Sequence, residues 1–210
     1  HLALMAAFVA IPTILSEELG IEGQNLWWVY LLLLGGGFFI MLPGMILAEK
    51  YNRHKLIFLV SVGVMTAVTL MLSFYRGSVL TPLLLLIFFT AFNLLEASLP
   101  SWMSKACPVG NRGTAMGIYS TSQFLGAFFG GLLGGWSLQT LGMNGLFVVI
   151  SAVLAIWWWV CLGLESPKPL KTLVLAVGGL GDADFTKIVS NIAGVKDILL
   201  LEGERLAYVQ

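Results

Sequence analysis

From Gly113 to Leu164 the chain runs 52 residues without one charged side chain. As a single α-helix that run would extend about 78 Å, at 1.5 Å per residue, against roughly 30 Å of hydrocarbon in a bilayer. No water-soluble core absorbs such a stretch, and no single membrane crossing does either. It has to turn back once. The only turn chemistry within it is Gln139-Thr140-Leu141-Gly142-Met143-Asn144-Gly145. The run is therefore read as two apolar helices, both crossing a membrane.

The remaining sequence follows the same rule. Of 22 charged residues, 12 fall in residues 1–165 and 10 in residues 166–210. The first block is thus about 7% charged, while the tail, at about 22%, approaches the roughly 25% of soluble proteins. Further apolar segments run up to about Leu15, from Leu26 to Ala48, from Leu56 to Tyr75 and from about Leu80 to Ser104. Apart from the short first one, each is near the length of about 20 residues that a crossing needs. Six spans therefore occupy residues 1–165. A linker over 166–170 carries Pro167 and Pro169, and a polar domain occupies 171–210. The chain opens on His1 and enters apolar sequence with no basic n-region or cleavage site, so it reads as a fragment cut at both ends.

Orientation follows the positive-inside rule. Lys50, Arg53 and Lys55 follow the second span, and Lys105 and Arg112 follow the fourth. The opposite side has Glu17, Glu18 and Glu22 in its first loop and Arg76 in its third. The basic loops are expected in the cytoplasm, and six spans return the tail to that side. Trp27, Trp28 and Trp136 then mark the outer lipid interface, and Trp102 with Trp157-Trp158-Trp159 the inner one. Eleven basic and eleven acidic residues cancel, which leaves no footprint for nucleic acid. Cys107 and Cys161 make neither a disulfide framework nor a metal spacing, and no cofactor is expected.

In the tail, Lys171 to Val177 alternates like a strand, and Asp182 to Ile192 can form a short helix with Asp182 as its N-cap. Val195 to Leu201 and Leu206 to Gln210 read as strands around Glu202-Gly203-Glu204. The β-α-β-β order is that of a truncated α+β ferredoxin-like unit without its last helix and strand. Its first loop, Gly178-Gly179-Leu180-Gly181-Asp182, has no thiol, so no metal role is expected.

Two features of the spans bear chemistry. Glu96 is the one carboxylate well inside a span. An ionised acid there costs about 2.5–3.5 kcal/mol on insertion scales, so it should face protein or a water-filled cavity. Asn93, Glu96, Ala97, Pro100 and Ser104 fall within about 100° of one another on the helix, with Leu95, Leu99 and Trp102 opposite. That stripe is expected to face the interior. Removal from water favours the neutral carboxyl, so Glu96 reads either as a group that exchanges protons or as one that only fixes packing. The second feature is glycine spacing. Gly126, Gly130 and Gly134 form an i, i+4, i+8 ridge, with Gly131 and Gly135 beside it and Gly117 further upstream. Such small residues let helices pack or slide closely, and Ser120 and Gln123 project on the same side.

Together these features resemble one half of a major facilitator superfamily transporter. The glycine spacing resembles that superfamily's antiporter motif, with Gly131 where the motif has proline, and it is identified as the counterpart of that motif in the eleventh span. Met45-Ile46-Leu47-Ala48-Glu49-Lys50-Tyr51-Asn52-Arg53-His54-Lys55 is similar to the loop motif after the second span, although Met45 and Asn52 replace its two glycines. Its charged members here are Glu49, Lys50, Arg53 and Lys55. Asn93-Leu94-Leu95-Glu96-Ala97 and the run from Gly113 to Gly126 resemble the YajR-like subgroup, as does a ferredoxin-like tail of the kind called a YAM domain.

The resemblance implies an all-α polytopic fold in a bacterial inner membrane, and proton-driven efflux of a small-molecule substrate by alternating access. Its partners would be protons, the lipid bilayer and a missing N-terminal six-span half. It also implies that Gly113, Thr114 and Ala115, at a helix start with a positive dipole end, receive a carboxylate from that half. Asn93, Glu96, Ser120 and Gln123 would line the coupling or substrate path. Three other readings are a proton-independent facilitator, a non-transporting sensor with a cytosolic receiver, and a membrane enzyme. The last needs a nucleophile with a base or metal ligands. His1 at the chain start and His54 in a loop do not supply them.

Overall fold

The computed structural model describes residues 1–21, 23–51, 53–163, 173–176, 187–189, 192, 198–201 and 206–209. They belong to two compact units, His1–Leu99 with Ser120–Ser166, and Pro100–Tyr119 with Pro167–Gln210. Helices α1 (Leu2–Leu19), α2 (Leu26–Tyr51), α3 (His54–Phe74) and α4 (Leu80–Ala106) precede one long helical run, α5 (Arg112–Leu162). All five are long and apolar enough to cross a membrane.

The long run is two helices. Gly142 breaks it with φ 69° and ψ −173°, a conformation essentially restricted to glycine. A side chain at Gly145 would collide with the Leu141 Cβ, so the corner needs a second glycine. The first arm, 112–141, passes α1 with Gly126 beside Leu2 and Gly134 beside Ala6, so the two ascend together. The second arm, 143–162, comes back along α3. Asn144 at its start accepts from Arg76 Nη2 just past α3, and Leu162 at its end accepts from Lys55 Nζ in the first turn of α3 at 3.5 Å. Between them, Trp158 Nε1 donates to the Leu59 carbonyl at 2.9 Å, above Gly63.

The core of this unit joins Ala6, Ala10, Ile11, Ile14 and Leu15 of α1 with Leu72 of α3, Phe88 and Phe89 of α4 and Phe147 and Ile150 of the second arm. Apolar surroundings give hydroxyls no water, so they turn to carbonyls of their own helices. Thr69 Oγ1 donates to the Met65 carbonyl at 2.9 Å and Ser151 Oγ to that of Val148 at 2.9 Å.

The helices outrun the apolar segments read from sequence. Glu17 and Glu18, expected in a loop, lie in the last turn of α1, and Glu49 and Lys50 lie at the end of α2. His54 is not in a loop; it is the buried first residue of α3. Helices end where their backbone is capped, not where polarity begins. At α1 the cap is Gly20, at φ 64°. Its N–H donates to the Ser16 carbonyl at 3.0 Å, the bond of a left-handed αL ending, and that of Ile21 to the Leu15 carbonyl at 3.3 Å. Glu22 and Asn52 lie outside the described residues.

In the second unit, strands β1 (Leu173–Ala176), β2 (Ile198–Leu201) and β3 (Leu206–Val209) form a sheet in the order β1-β3-β2. Both pairings are antiparallel, with Leu173 opposite Val209 and Leu201 opposite Leu206. Of the helix expected over Asp182 to Ile192, residues 187–189 are helical and most of the others lie outside the described residues.

Candidate functional site

The site is set by how closely α1 can approach the first arm of α5. A Cβ on Gly130 would sit 2.8 Å from Leu2 Cα, and one on Gly134 would sit 2.7 Å from Ala6 Cα. Only glycine permits that approach. One turn before the ridge, Gln123 is thereby brought to His1, with Nε2 of the amide 2.7 Å from Nε2 of the ring. From α4, Glu96 completes the group. Gln123 Nε2 donates to Glu96 Oε1 at 3.1 Å and lies 3.3 Å from Oε2, while His1 Nε2 lies 3.0 Å from Oε2. Phe92, one turn before Glu96, meets the His1 ring edge to face at 5.4 Å. Three helices thus converge on one carboxyl group.

The cluster is held without being sealed. The side chain of Glu96 is 44% exposed in this chain and that of His1 24%. The apolar side of α4 takes the core instead, with Leu95 9% exposed and Ser98, Phe88 and Phe89 buried. The polar stripe expected to face the interior therefore lies along the half-open side of the helix.

Not every residue grouped with Glu96 joins it. Asn93 turns to α2, where Nδ2 donates to the Leu34 carbonyl at 3.3 Å. A Cβ on Gly37 of α2 would sit 3.1 Å from the Thr90 amide nitrogen, and one on Gly44 would sit 3.1 Å from the Leu94 side chain. Gly37 and Gly44, seven residues apart, are a second packing seam that sequence reasoning missed although the spacing was legible. Ser120 is half-buried, one turn before Gln123. A Cβ on Gly131 or Gly135 would meet nothing within 4 Å, so among the described residues the close contact with α1 lies on the Gly126, Gly130 and Gly134 ridge. His1 was also missed. An imidazole at the head of an apolar helix is the signal that identifies it.

The loop-motif residues gather where α2 passes into α3. The Arg53 N–H donates to the Ala48 carbonyl at 3.1 Å, and Lys50 Nζ lies 5.7 Å from the centre of the Tyr51 ring. Glu49 is exposed at the end of α2. Lys55 caps the carbonyl end of the second arm through Leu162, where a cation complements the helix dipole. In the other unit, Gly113, Thr114 and Ala115 lie in the first turn of α5, where the leading amides of a helix have no intrahelical carbonyl. Among the described residues, no three His, Cys, Asp or Glu side chains are grouped to hold a metal.

The profile of the Major Facilitator Superfamily matches residues 1–196. The inner membrane transport protein YajR of Escherichia coli is 35% identical over 217 aligned positions, which cover 100% of this chain and 47% of that protein. An uncharacterized transporter of Buchnera aphidicola subsp. Acyrthosiphon pisum is 35% identical over 131 positions, covering 62% of this chain and 33% of its own length. Another, from subsp. Baizongia pistaciae, is 31% identical over 137 positions, covering 64% and 35%. The chain spans about half the length of the first relative and about a third of the other two.

Proposed function

The chain belongs to the major facilitator superfamily, and on that premise we propose that it is the C-terminal six-span half of a proton-coupled exporter of small molecules. It is a multi-pass membrane protein. In this reading it works by alternating access in the bacterial inner membrane, with an N-terminal half closing the path along the open side of Glu96. The observation that carries the proposal is the Glu96, Gln123 and His1 cluster.

Its hydrogen bookkeeping favours proton exchange. A ring nitrogen is either a donor or an acceptor, and an ionised carboxylate is only an acceptor. With the ring neutral, the single lone pair of His1 Nε2 can accept from the Gln123 amide or from a protonated Glu96, but not from both. If the proton moves to His1 Nε2, the Gln123 amide has to turn away from the ring. A proton held between His1 and Glu96 therefore excludes the Gln123 donation to the ring, so loading the pair is linked to the setting of a side chain on α5. A group that couples protonation to helix position behaves in this way. Ser120 lies along the same path one turn from Gln123, Asn93 ties α4 to α2 beside it, and the first turn of α5 at Gly113, Thr114 and Ala115 receives a carboxylate of the other half.

The basic loop residues gather at the end of the helices where Lys55 meets Leu162, and Glu17 and Glu18 lie at the other end. By the positive-inside rule, the first end is cytoplasmic. Residues 171–210 then form a cytoplasmic, incomplete ferredoxin-like domain of the YAM kind. Its support is the central β3 flanked by antiparallel β1 and β2, the strand arrangement of a split β-α-β unit.

The test is Glu96→Gln in the full-length protein, reconstituted in vesicles. Glutamine keeps the shape and removes the titration. Flux driven by a pH gradient should be lost, and substrate exchange at equal pH should survive because glutamine mimics the protonated acid. Gradient-driven flux equal to the parent's would remove Glu96 from coupling.

A further inference from the structure

At the end of the helices away from Lys55 lies an open groove of about 420 Å³, in the corner where α1 passes into α2. That is the size of a site for a small organic molecule. Its polar wall is Thr13, Ser16 and Glu17, one face of the last two turns of α1, and its apolar wall includes Pro12, Ile21 and Leu26. We infer that this corner binds a monovalent organic cation with apolar substituents.

Two independent features favour positive charge there. The first is the carboxylate of Glu17, which is exposed and has no ion-pair partner among the described residues. Its neighbour Glu18 differs, because Arg76 Nε lies 3.8 Å from Glu18 Oε1 and the same guanidinium also reaches Asn144. The local cation is thus engaged beside the pocket. The second feature is the helix itself. A C-terminus carries partial negative charge, which Lys or Arg usually offsets, yet α1 has two glutamates and no basic residue in its last turn. Arg76 offsets Glu18, and a bound cation would do the same for Glu17.

The choice of an organic cation over a metal ion follows from the walls. One carboxylate and two hydroxyls are a poor set for a divalent ion, which prefers several charged oxygens. Pro12, Ile21 and Leu26 offer instead the apolar surface that alkyl or aryl groups bury. The inference goes beyond the proton reading and stands without it.

Tetraphenylphosphonium is the probe, and triphenylphosphine oxide is its neutral counterpart. Both are titrated by equilibrium dialysis against full-length protein in detergent, in a Glu96→Gln background so that the acid of the helix cluster adds nothing. Adding Glu17→Gln should weaken phosphonium binding by roughly three- to tenfold, the order expected for one partly screened charge. Binding of the neutral probe should not change. Ser16→Trp, which fills the pocket, should weaken both. Phosphonium affinity unchanged by Glu17→Gln, or an equal loss for both probes in that variant, would overturn the inference. A failure of Glu96 as a coupling group would leave these affinities as they are.

Discussion

Replacing Gly134 by alanine probes the tightest part of the contact between α1 and α5. The new Cβ would lie 2.7 Å from Ala6 Cα, 3.1 Å from its carbonyl oxygen and 3.2 Å from its Cβ. Carbon atoms settle at about 3.5–4.0 Å, so α1 has to withdraw by roughly 1 Å. The withdrawal cannot stay local, because Ala10, Ile11, Ile14 and Leu15 on the same helix are buried in the core. Overpacking of this kind costs about 1–3 kcal/mol. Alanine returns about 0.5–1 kcal/mol through its better helix propensity, which leaves a net loss of about 1–2 kcal/mol. Gly135 is the control one residue away. Nothing lies within 4 Å of its Cβ position, so Gly135→Ala should be neutral or slightly stabilising. Thermal unfolding of the two variants in the same detergent should separate them by about 2–8 °C, given roughly 2–4 °C per kcal/mol for a protein of this size. Gly130→Ala against Gly131→Ala repeats the comparison one turn earlier, where the backbone of Leu2 is the obstacle. If the members of each pair melt together, the glycine ridge is not a helix contact.

Two further outcomes are expected. Gly142→Ala forces a side chain into a backbone setting essentially reserved for glycine and should lower stability by about 1–3 kcal/mol, read as the thermal midpoint of the purified protein; an unchanged midpoint would mean that the corner between the arms lies elsewhere. A reporter fused after Ser166 should show only cytosolic-type activity, and periplasmic activity would invert the proposed orientation.

The architecture was legible because length and charge act together. An apolar helix rises about 1.5 Å per residue and lipid is about 30 Å thick, so a run of 52 uncharged residues has to fold back. The break at Gly142 falls inside the only stretch with turn residues. Polarity was a poorer guide to helix ends. It marks where lipid stops, whereas α1 continues through Glu17 and Glu18 until Gly20 can adopt its left-handed cap. Placement around a helix was coarser still. A sector of about 100° put Asn93 and Glu96 on one stripe, yet that width holds two destinations. Asn93 goes to α2 while Glu96 goes to α1 and α5.

Spacing likewise revealed two glycine ridges on α5 but not which one is used. That depends on the backbone opposite, and of the two ridges only Gly126, Gly130 and Gly134 face one among the described residues. The same contact explains why His1 was missed. Residues 1, 96 and 123 share no local pattern, and they meet because the ridge draws the head of α1 against α5. Packing and chemistry are therefore one feature of this protein. A side chain at Gly130 would press on Leu2, the residue next to His1, and so move the imidazole away from Glu96. In the proposed mechanism, Gly130→Ala should then weaken proton-driven flux together with stability, whereas Gly131→Ala should leave both intact.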